Sequence, residues 1–309
     1  MIGIKSIASY VPDDFIDNFV QAQKFDENED FITKKIGATK LPRKKKEQET
    51  SDIAQLAVEA LLDKEADLKL EDVDALVVVT QNPDGAGLPH TSAILQNKLG
   101  LPTTVAAFDV SLGCSGYVYG LNVLKGFLEA SGLQNGILVT CDPYSKVINP
   151  EDRVTTLLFG DAATATWLGT DPIFNIGASS YGTDGSGAKY LEVSDDVLSM
   201  NGRQIFTFAA TKVEPQIKET IVKQGVSAED IDLFCIHQGS AAIIEAISRR
   251  FKGLEDRFVN EMSHVGNTVS STIPLLLEQR ITNTDLNKIL ICGFGVGLSM
   301  ATSIITRQH

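Results

Sequence analysis

Apolar residues recur along this chain in two rhythms. Tyr117, Leu121, Leu124 and Leu128 repeat at i, i+4, i+7 and i+11, which predicts one buried face of a helix whose first turn starts at Cys114. Short apolar runs, Ala75 to Val79, Ile137 to Cys141 with Thr140 within it, Leu233 to Ile236 and Ile289 to Cys292, predict strands buried on both faces. Ala106-Ala107-Phe108 predicts a further strand that leads into the helix.

These elements repeat in order. Lys69-Leu70-Glu71-Asp72-Val73-Asp74 before one buried strand resembles Ser227-Ala228-Glu229-Asp230-Ile231-Asp232 before another, 158 residues later from Glu71 to Glu229. Gly113-Cys114 matches Gly266-Asn267 at a spacing of 153, and Asn135-Gly136-Ile137 matches Asn287-Lys288-Ile289 at 152. Three collinear matches at near-constant spacing predict two copies of one βαβ-rich unit, with halves at 1–170 and 171–309. In such a pair, strand ends and helix starts converge near the pseudo-twofold axis.

Cys114 stands at such a junction, in Asp109-Val110-Ser111-Leu112-Gly113-Cys114-Ser115-Gly116. Small neighbours let a carbonyl approach, and a helix amino end is expected to lower the thiol pKa. A cysteine that merely fills the core would suit the same place. His237 closes a strand in the second half, and Asn267 occupies the position equivalent to Cys114. Together the three suggest one site shared by both halves. Cys141, Cys235 and Cys292 lie within apolar runs and read as core.

The 309 residues are 43% hydrophobic, enough for a large core. Four scattered cysteines without a CxxC pair or a His-rich tract predict neither a zinc site nor a disulfide framework. With no charged leader and no run long enough to cross a bilayer, the expectation is a cytoplasmic protein that does not engage membranes. The net charge of −13 argues against a nucleic-acid partner. Two basic clusters stand out against it, one from Lys34 to Lys46 and one at Arg249, Arg250 and Lys252. The glycine-rich stretches Gly182 to Gly187 and Gly293 to Gly297 lack the features of phosphate loops and read as loops lining the site.

At these residues the chain resembles the thiolase-fold condensing enzymes, and within them the β-ketoacyl-acyl-carrier-protein synthase III family. The motifs are Glu29-Asp30-Phe31-Ile32, Lys35-Ile36-Gly37, Glu49-Thr50-Ser51-Asp52, Gly113-Cys114-Ser115-Gly116, Asp152-Arg153, Phe159-Gly160-Asp161-Ala162, His237-Gln238, Gly266-Asn267-Thr268 and Gly293-Phe294-Gly295-Val296-Gly297, spread over nearly the whole length. The resemblance implies a five-layered αβαβα fold, a homodimer, and a Cys114, His237 and Asn267 triad. No metal or redox cofactor is implied.

The reaction implied has two steps. Cys114 takes an acyl group from a coenzyme A thioester, with the amides of Cys114 and Val296 holding the oxyanion. A malonyl thioester on acyl carrier protein then loses carbon dioxide, and His237 and Asn267 donate to the enolate oxygen. Substrate contacts are implied for Phe31, Lys35, Arg153, Arg203, Phe206 and Ser240. Leu88 sits where the family places a residue that reaches the partner's acyl pocket.

Phe31 and Lys35 replace a tryptophan and an arginine, Arg203 takes the place of an asparagine, and Val296 interrupts the usual triple glycine. Arg249 and Arg250 are expected to dock an acidic carrier protein. Alternatives are a non-decarboxylating acyltransferase and a catalytically silent structural subunit. A hydroxymethylglutaryl-coenzyme A synthase is disfavoured because Thr80-Gln81-Asn82 supplies no glutamate.

Overall fold

The protein is described from a computed structural model, over residues 1–308. Its strands are β1 (Gly3–Tyr10), β2 (Phe15–Asp17), β3 (Lys40–Pro42), β4 (Ala75–Val79), β5 (Ala106–Val110), β6 (Gly136–Cys141), β7 (Ala163–Gly169), β8 (Phe174–Ile176), β9 (Ser180–Thr183), β10 (Leu191–Ser194), β11 (Val197–Met200), β12 (Leu233–Ile236), β13 (Lys288–Gly295) and β14 (Ser299–Arg307). Ten of them join in the order β12-β13-β14-β8-β1-β7-β6-β4-β5, with β9 also on β14. The pairs β2/β3 and β10/β11 stand apart.

The same pairing pattern occurs twice. β4 runs parallel to β6, which is antiparallel to β7, which is antiparallel to β1. Likewise β12 runs parallel to β13, which is antiparallel to β14, which is antiparallel to β8 and β9.

The repeated acidic turn has a physical purpose in both places. Asp74 Oδ2 accepts from the amides of Gln134 and Asn135 at 2.8 and 2.9 Å, just before β6. Asp232 Oδ2 accepts from the amides of Asn287 and Lys288 at 2.7 and 2.8 Å, at the start of β13. Each carboxylate thus satisfies two amides that precede the neighbouring parallel strand and fixes its register.

Alternation along the strands sorts the core into layers. Leu76 and Val78 of β4 face the outer helices Thr50–Lys64 and Thr91–Leu99, whereas Ala75, Val77 and Val79 face the helix Gly116–Ser131. In the second half Ile289 and Ile291 of β13 face the same central layer, together with Leu276 and Leu277 of the helix Thr272–Glu278. Leu290 and Cys292 face the opposite side, against Ile217, Ile221, Ile244 and Ile247. With the two halves of the sheet, continuous through β8 and β1, as separate layers, the order is helices, half-sheet, helices, half-sheet, helices, the expected five layers.

Tyr117, Leu121, Leu124 and Leu128 are wholly buried in that central layer, as their spacing predicts. Each contributes about 2 kcal/mol by burial. The helix begins at Gly116, so Cys114 lies in the turn before it. Cys141, Cys235 and Cys292 are buried in the core.

Candidate active site

Three chain segments bring Cys114, His237 and Asn267 to one cavity of about 290 Å³. Their exposures are only 3%, 2% and 4%, so reacting groups there are largely withdrawn from water. Phe31, Lys35, Arg153, Arg203, Phe206 and Ser240 line the same cavity. Leu88 does not; it lies on a loop outside the cavity and is 93% exposed.

Cys114 is held by its glycine neighbours. A side chain at Gly293 would strike the Cys114 carbonyl at 2.5 Å, and one at Gly113 would meet Gln81 at 2.6 Å and Val296 at 2.9 Å. The end of β13 therefore packs directly against the nucleophile turn. Gly187, by contrast, lies so close to Leu298 that a Cβ on it would stand 2.1 Å from that side chain, and none of Gly182 to Gly187 lines the cavity, so this first glycine stretch braces the loop after β13.

The expected low thiol pKa of Cys114 is not found. Burial pushes it up to about 12, because a thiolate loses its hydration there. The backbone amides of Val296 and of Cys114 itself work in the other direction without overcoming burial. Those are the two amides expected to bind the oxyanion. In the resting protein Cys114 is a thiol, and its proton must be taken as it reacts.

His237 extends β12 by one residue, its amide donating to the Cys292 carbonyl at 2.8 Å. Its ring meets Phe294 edge-on, with centroids 5.4 Å apart. Nδ1 lies 2.8 Å from the hydroxyl of Thr272, and that hydroxyl donates to the Val269 carbonyl at 3.1 Å. A hydroxyl already donating can accept from Nδ1–H, which leaves Nε2 with its lone pair. Burial lowers the imidazole pKa to about 3, so the ring is neutral. Gln238 anchors the following loop through the carbonyls of Ile236 and Val259 and the amide of Glu261.

Asn267 is fixed by its backbone, which exchanges hydrogen bonds with Leu158 and Gly160 at 3.0 and 3.1 Å. Its Oδ1 accepts from the Val269 amide at 2.9 Å, so its Nδ2 hydrogens remain for a ligand. Gly266 before it has φ +66°, and a side chain there would collide with Leu41 at 2.5 Å. Val269 has φ 55°, a strained conformation for a β-branched residue. Two hydrogen bonds hold it, one to Asn267 and one from Thr272.

Beneath this turn lies Asp142, 1% exposed. It accepts from the Gln81 amide at 2.7 Å and the Ser270 hydroxyl at 2.9 Å, tying the ends of the first-half strands to the Asn267 turn. Burial raises its pKa to about 6. The sequence reading missed Thr272, Val269 and Asp142. The available signal was the polar run Ser270-Ser271-Thr272 opening an otherwise apolar helix, which asks for buried partners.

At the cavity mouth the Arg153 guanidinium stands 5.5 Å from the Phe31 ring centroid and is ion-paired with Glu27. The amino-terminal basic run is not one surface. Lys34 pairs with Asp30, Lys35 lines the cavity, and Arg43 turns inward to the Phe159 carbonyl at 2.7 Å. Arg249 and Arg250 are exposed just beyond the helix Ala241–Ser248, with Arg249 paired to Glu245. Among the described residues no cluster of three or more His, Cys, Asp or Glu is arranged to hold a metal ion, and no helix is long and apolar enough to cross a membrane.

The layered sheet and a cavity joining cysteine, histidine and asparagine from two similar halves define a thiolase-fold condensing enzyme. Family models for 3-oxoacyl-[acyl-carrier-protein] synthase III match residues 108–185, and for its carboxy-terminal part residues 221–307. The chain belongs to the β-ketoacyl-[acyl-carrier-protein] synthase III family and is an acyltransferase of the condensing type.

The synthase III of Caldanaerobacter subterraneus subsp. tengcongensis is 33% identical over 98% of this chain and 97% of the relative. That of Staphylococcus aureus is 33% identical over 98% of both chains. A crystal structure of a 3-oxoacyl-(acyl-carrier-protein) synthase III superposes with TM-score 0.92 at 33% identity, covering 99% of each chain. The Thermus thermophilus synthase III superposes at 0.91 with 31% identity, also over 99% of each chain.

Proposed function

We propose that Cys114 accepts the acyl group of an acyl-coenzyme A and that the enzyme condenses it with malonyl-acyl carrier protein. The observation that carries this reading is the free Nδ2 of Asn267, in one cavity with Cys114 and His237, its Oδ1 already occupied by the Val269 amide. An amide held with only its donor side available suits an oxygen that gains negative charge. The two amides at the Cys114 sulfur suit the oxyanion of acyl transfer in the same way.

Apolar side chains of Leu158, Leu191, Ile205 and Phe206 line the cavity, with Lys35, Arg153 and Arg203 among them, a combination that fits a pantetheine thioester ending in phosphate. Neither reaction step calls on a metal or redox group.

Partners follow from the surface. β5 is the outermost strand of the sheet, half-buried along its whole length, and an unpaired apolar edge favours pairing with a second copy. We assign the enzyme as a cytoplasmic homodimer in which exposed Leu88 reaches the partner's cavity, and we divide each chain at residue 170. Arg249 and Arg250 are assigned to the acidic carrier.

The reading is tested by intact-protein mass spectrometry with a panel of acyl-coenzyme A thioesters, alongside carbon dioxide release from malonyl-acyl carrier protein. Cys114→Ala should take up no acyl group. Asn267→Ala should still acylate but lose condensation by roughly 10²-fold, the effect of one missing oxyanion donor. An acyl adduct without carbon dioxide release in the wild type would refute the malonyl step.

A further inference from the structure

A second cavity of about 150 Å³ lies behind the triad, lined on its polar side by Ser9, Thr268, Thr272, Glu261 and Glu278 and on its apolar side by residues that include Leu275 and Leu276. It has room for several water molecules. Thr272 lines it and also bonds His237 Nδ1 at 2.8 Å, so its side chain touches both the back of the imidazole and the cavity. The Thr268 hydroxyl is buried there without a hydrogen-bond partner, and Ser9 donates to Glu278 at 2.5 Å. Glu261, with a 42% exposed side chain, brings the cavity to the surface.

We infer that this cavity is the proton route of the enzyme, with Thr272 the positioning residue that passes a proton between cavity water and His237 Nδ1. The inference rests on the roles given above to Cys114 and to His237 in condensation, and adds that Nε2 of His237, bare in the resting protein and in one cavity with Cys114, is the base for its thiol. In acylation the Cys114 thiol proton goes to Nε2 as sulfur attacks the acyl carbonyl and the bond to the coenzyme A sulfur breaks. Coenzyme A leaves as thiolate and takes a proton from bulk water, while the Nδ1 proton leaves through Thr272. His237 then carries its proton on Nε2, the form that can donate to the malonyl thioester oxygen.

In condensation the carbon–carboxylate bond breaks, carbon dioxide departs and the new carbon–carbon bond forms. The Cys114–acyl bond then opens to thiolate, which takes the Nε2 proton, while Nδ1 regains one through Thr272. One proton leaves and one enters by the same path in each cycle, and nothing is oxidised or reduced.

Two considerations favour a rear path. Burial disfavours the doubly protonated ring, so a proton can arrive at one nitrogen only as another leaves the opposite one. His237 also lines the substrate cavity, which under the proposed function the thioester arm would fill during reaction. A hydroxyl suits the rear position because it can accept from Nδ1–H or donate to bare Nδ1, which a carbonyl or an amide cannot do.

The test compares wild type, Thr272→Val, Thr272→Ser and the cavity-filling Leu275→Phe, with ¹⁵N NMR of His237 in the free and acylated enzyme and each half-reaction timed separately. Wild type should change from the Nδ1–H to the Nε2–H tautomer on acylation. Thr272→Val should hold one tautomer throughout and lose condensation by roughly 10²-fold, with Thr272→Ser within about threefold of wild type. Leu275→Phe should slow condensation several-fold and enlarge its solvent deuterium isotope effect.

An unchanged tautomer in acylated wild type, or wild-type condensation in Thr272→Val, would overturn the inference. The first comparison needs no variant to fold. His237→Ala that condenses at full rate would instead remove the underlying assignment of His237, and the proton route with it.

Discussion

Gly295 lies so close to Cys114 that a Cβ on it would stand 2.6 Å from Sγ. The sulfur can occupy its place in the cavity only because β13 ends in a residue without a side chain. Gly295→Ala should therefore push the sulfur aside and slow acylation by about 10²-fold, the effect of roughly a 1 Å misplacement. Overpacking should cost about 1–3 kcal/mol of stability. Burst acylation measured by mass beside a melting curve checks both, and unimpaired acylation would show that the sulfur sits elsewhere during reaction.

The buried thiol sets a pH dependence. Only the thiolate is alkylated, so iodoacetamide labelling of Cys114 should climb about tenfold per pH unit between pH 7 and 10 without levelling off. A plateau below pH 9 would mean that the helix end and the two amides win over burial. The sign for stability follows from the raised folded-state value. Protonated Cys114 favours the fold below the ordinary thiol pKa, and wild type should lose stability relative to Cys114→Ala as pH rises from 9 toward 12.

Arg249 and Arg250 are the exposed cations nearest the carboxy end of the helix Ala241–Ser248, and Glu245 already neutralises part of the first. Reversing both to Glu should raise KM for malonyl-acyl carrier protein about tenfold at low salt and leave kcat nearly unchanged. Above about 0.5 M salt the difference should fade. A free malonyl-pantetheine thioester should not sense the change, and equal losses for both substrates would place the effect inside the cavity.

Glu27 holds Arg153 across the mouth, over Phe31. In the proposed coenzyme A complex this carboxylate would repel nucleotide phosphate, and it already occupies the guanidinium that would meet it. Glu27→Gln should lower KM for acyl-coenzyme A about threefold and leave KM for the matching acyl-pantetheine unchanged, the size of one exposed charge contact. Steady-state kinetics with both donors separates the outcomes, and a higher KM for acyl-coenzyme A would mean that Glu27 orients Arg153 for binding.

What the sequence revealed, and what it hid, divides along physical lines. Repetition exposed Asp74 and Asp232 because each serves neighbours fixed by local chain geometry, and strand ends exposed Cys114, His237 and Asn267 for the same reason. The Cys114 pKa was misread because a helix end is visible in sequence, whereas desolvation depends on glycine contacts from β13, about 180 residues away. Thr272 and Asp142 were hidden because their roles depend on partners in the other half of the chain or on another loop. The lysine run looked like one patch because sequence does not show that Arg43 points inward.

The strained turn at Val269 bears on the timing of order in the site. Val269 is held by its bond to Asn267 and its bond from Thr272, so the backbone strain of this one residue is balanced against contacts that place both the donor amide and the imidazole support. The heavy-atom positions of both are set once, when the chain folds, and only the Thr272 hydroxyl proton has to turn, between the Val269 carbonyl and His237 Nδ1, as the reaction proceeds.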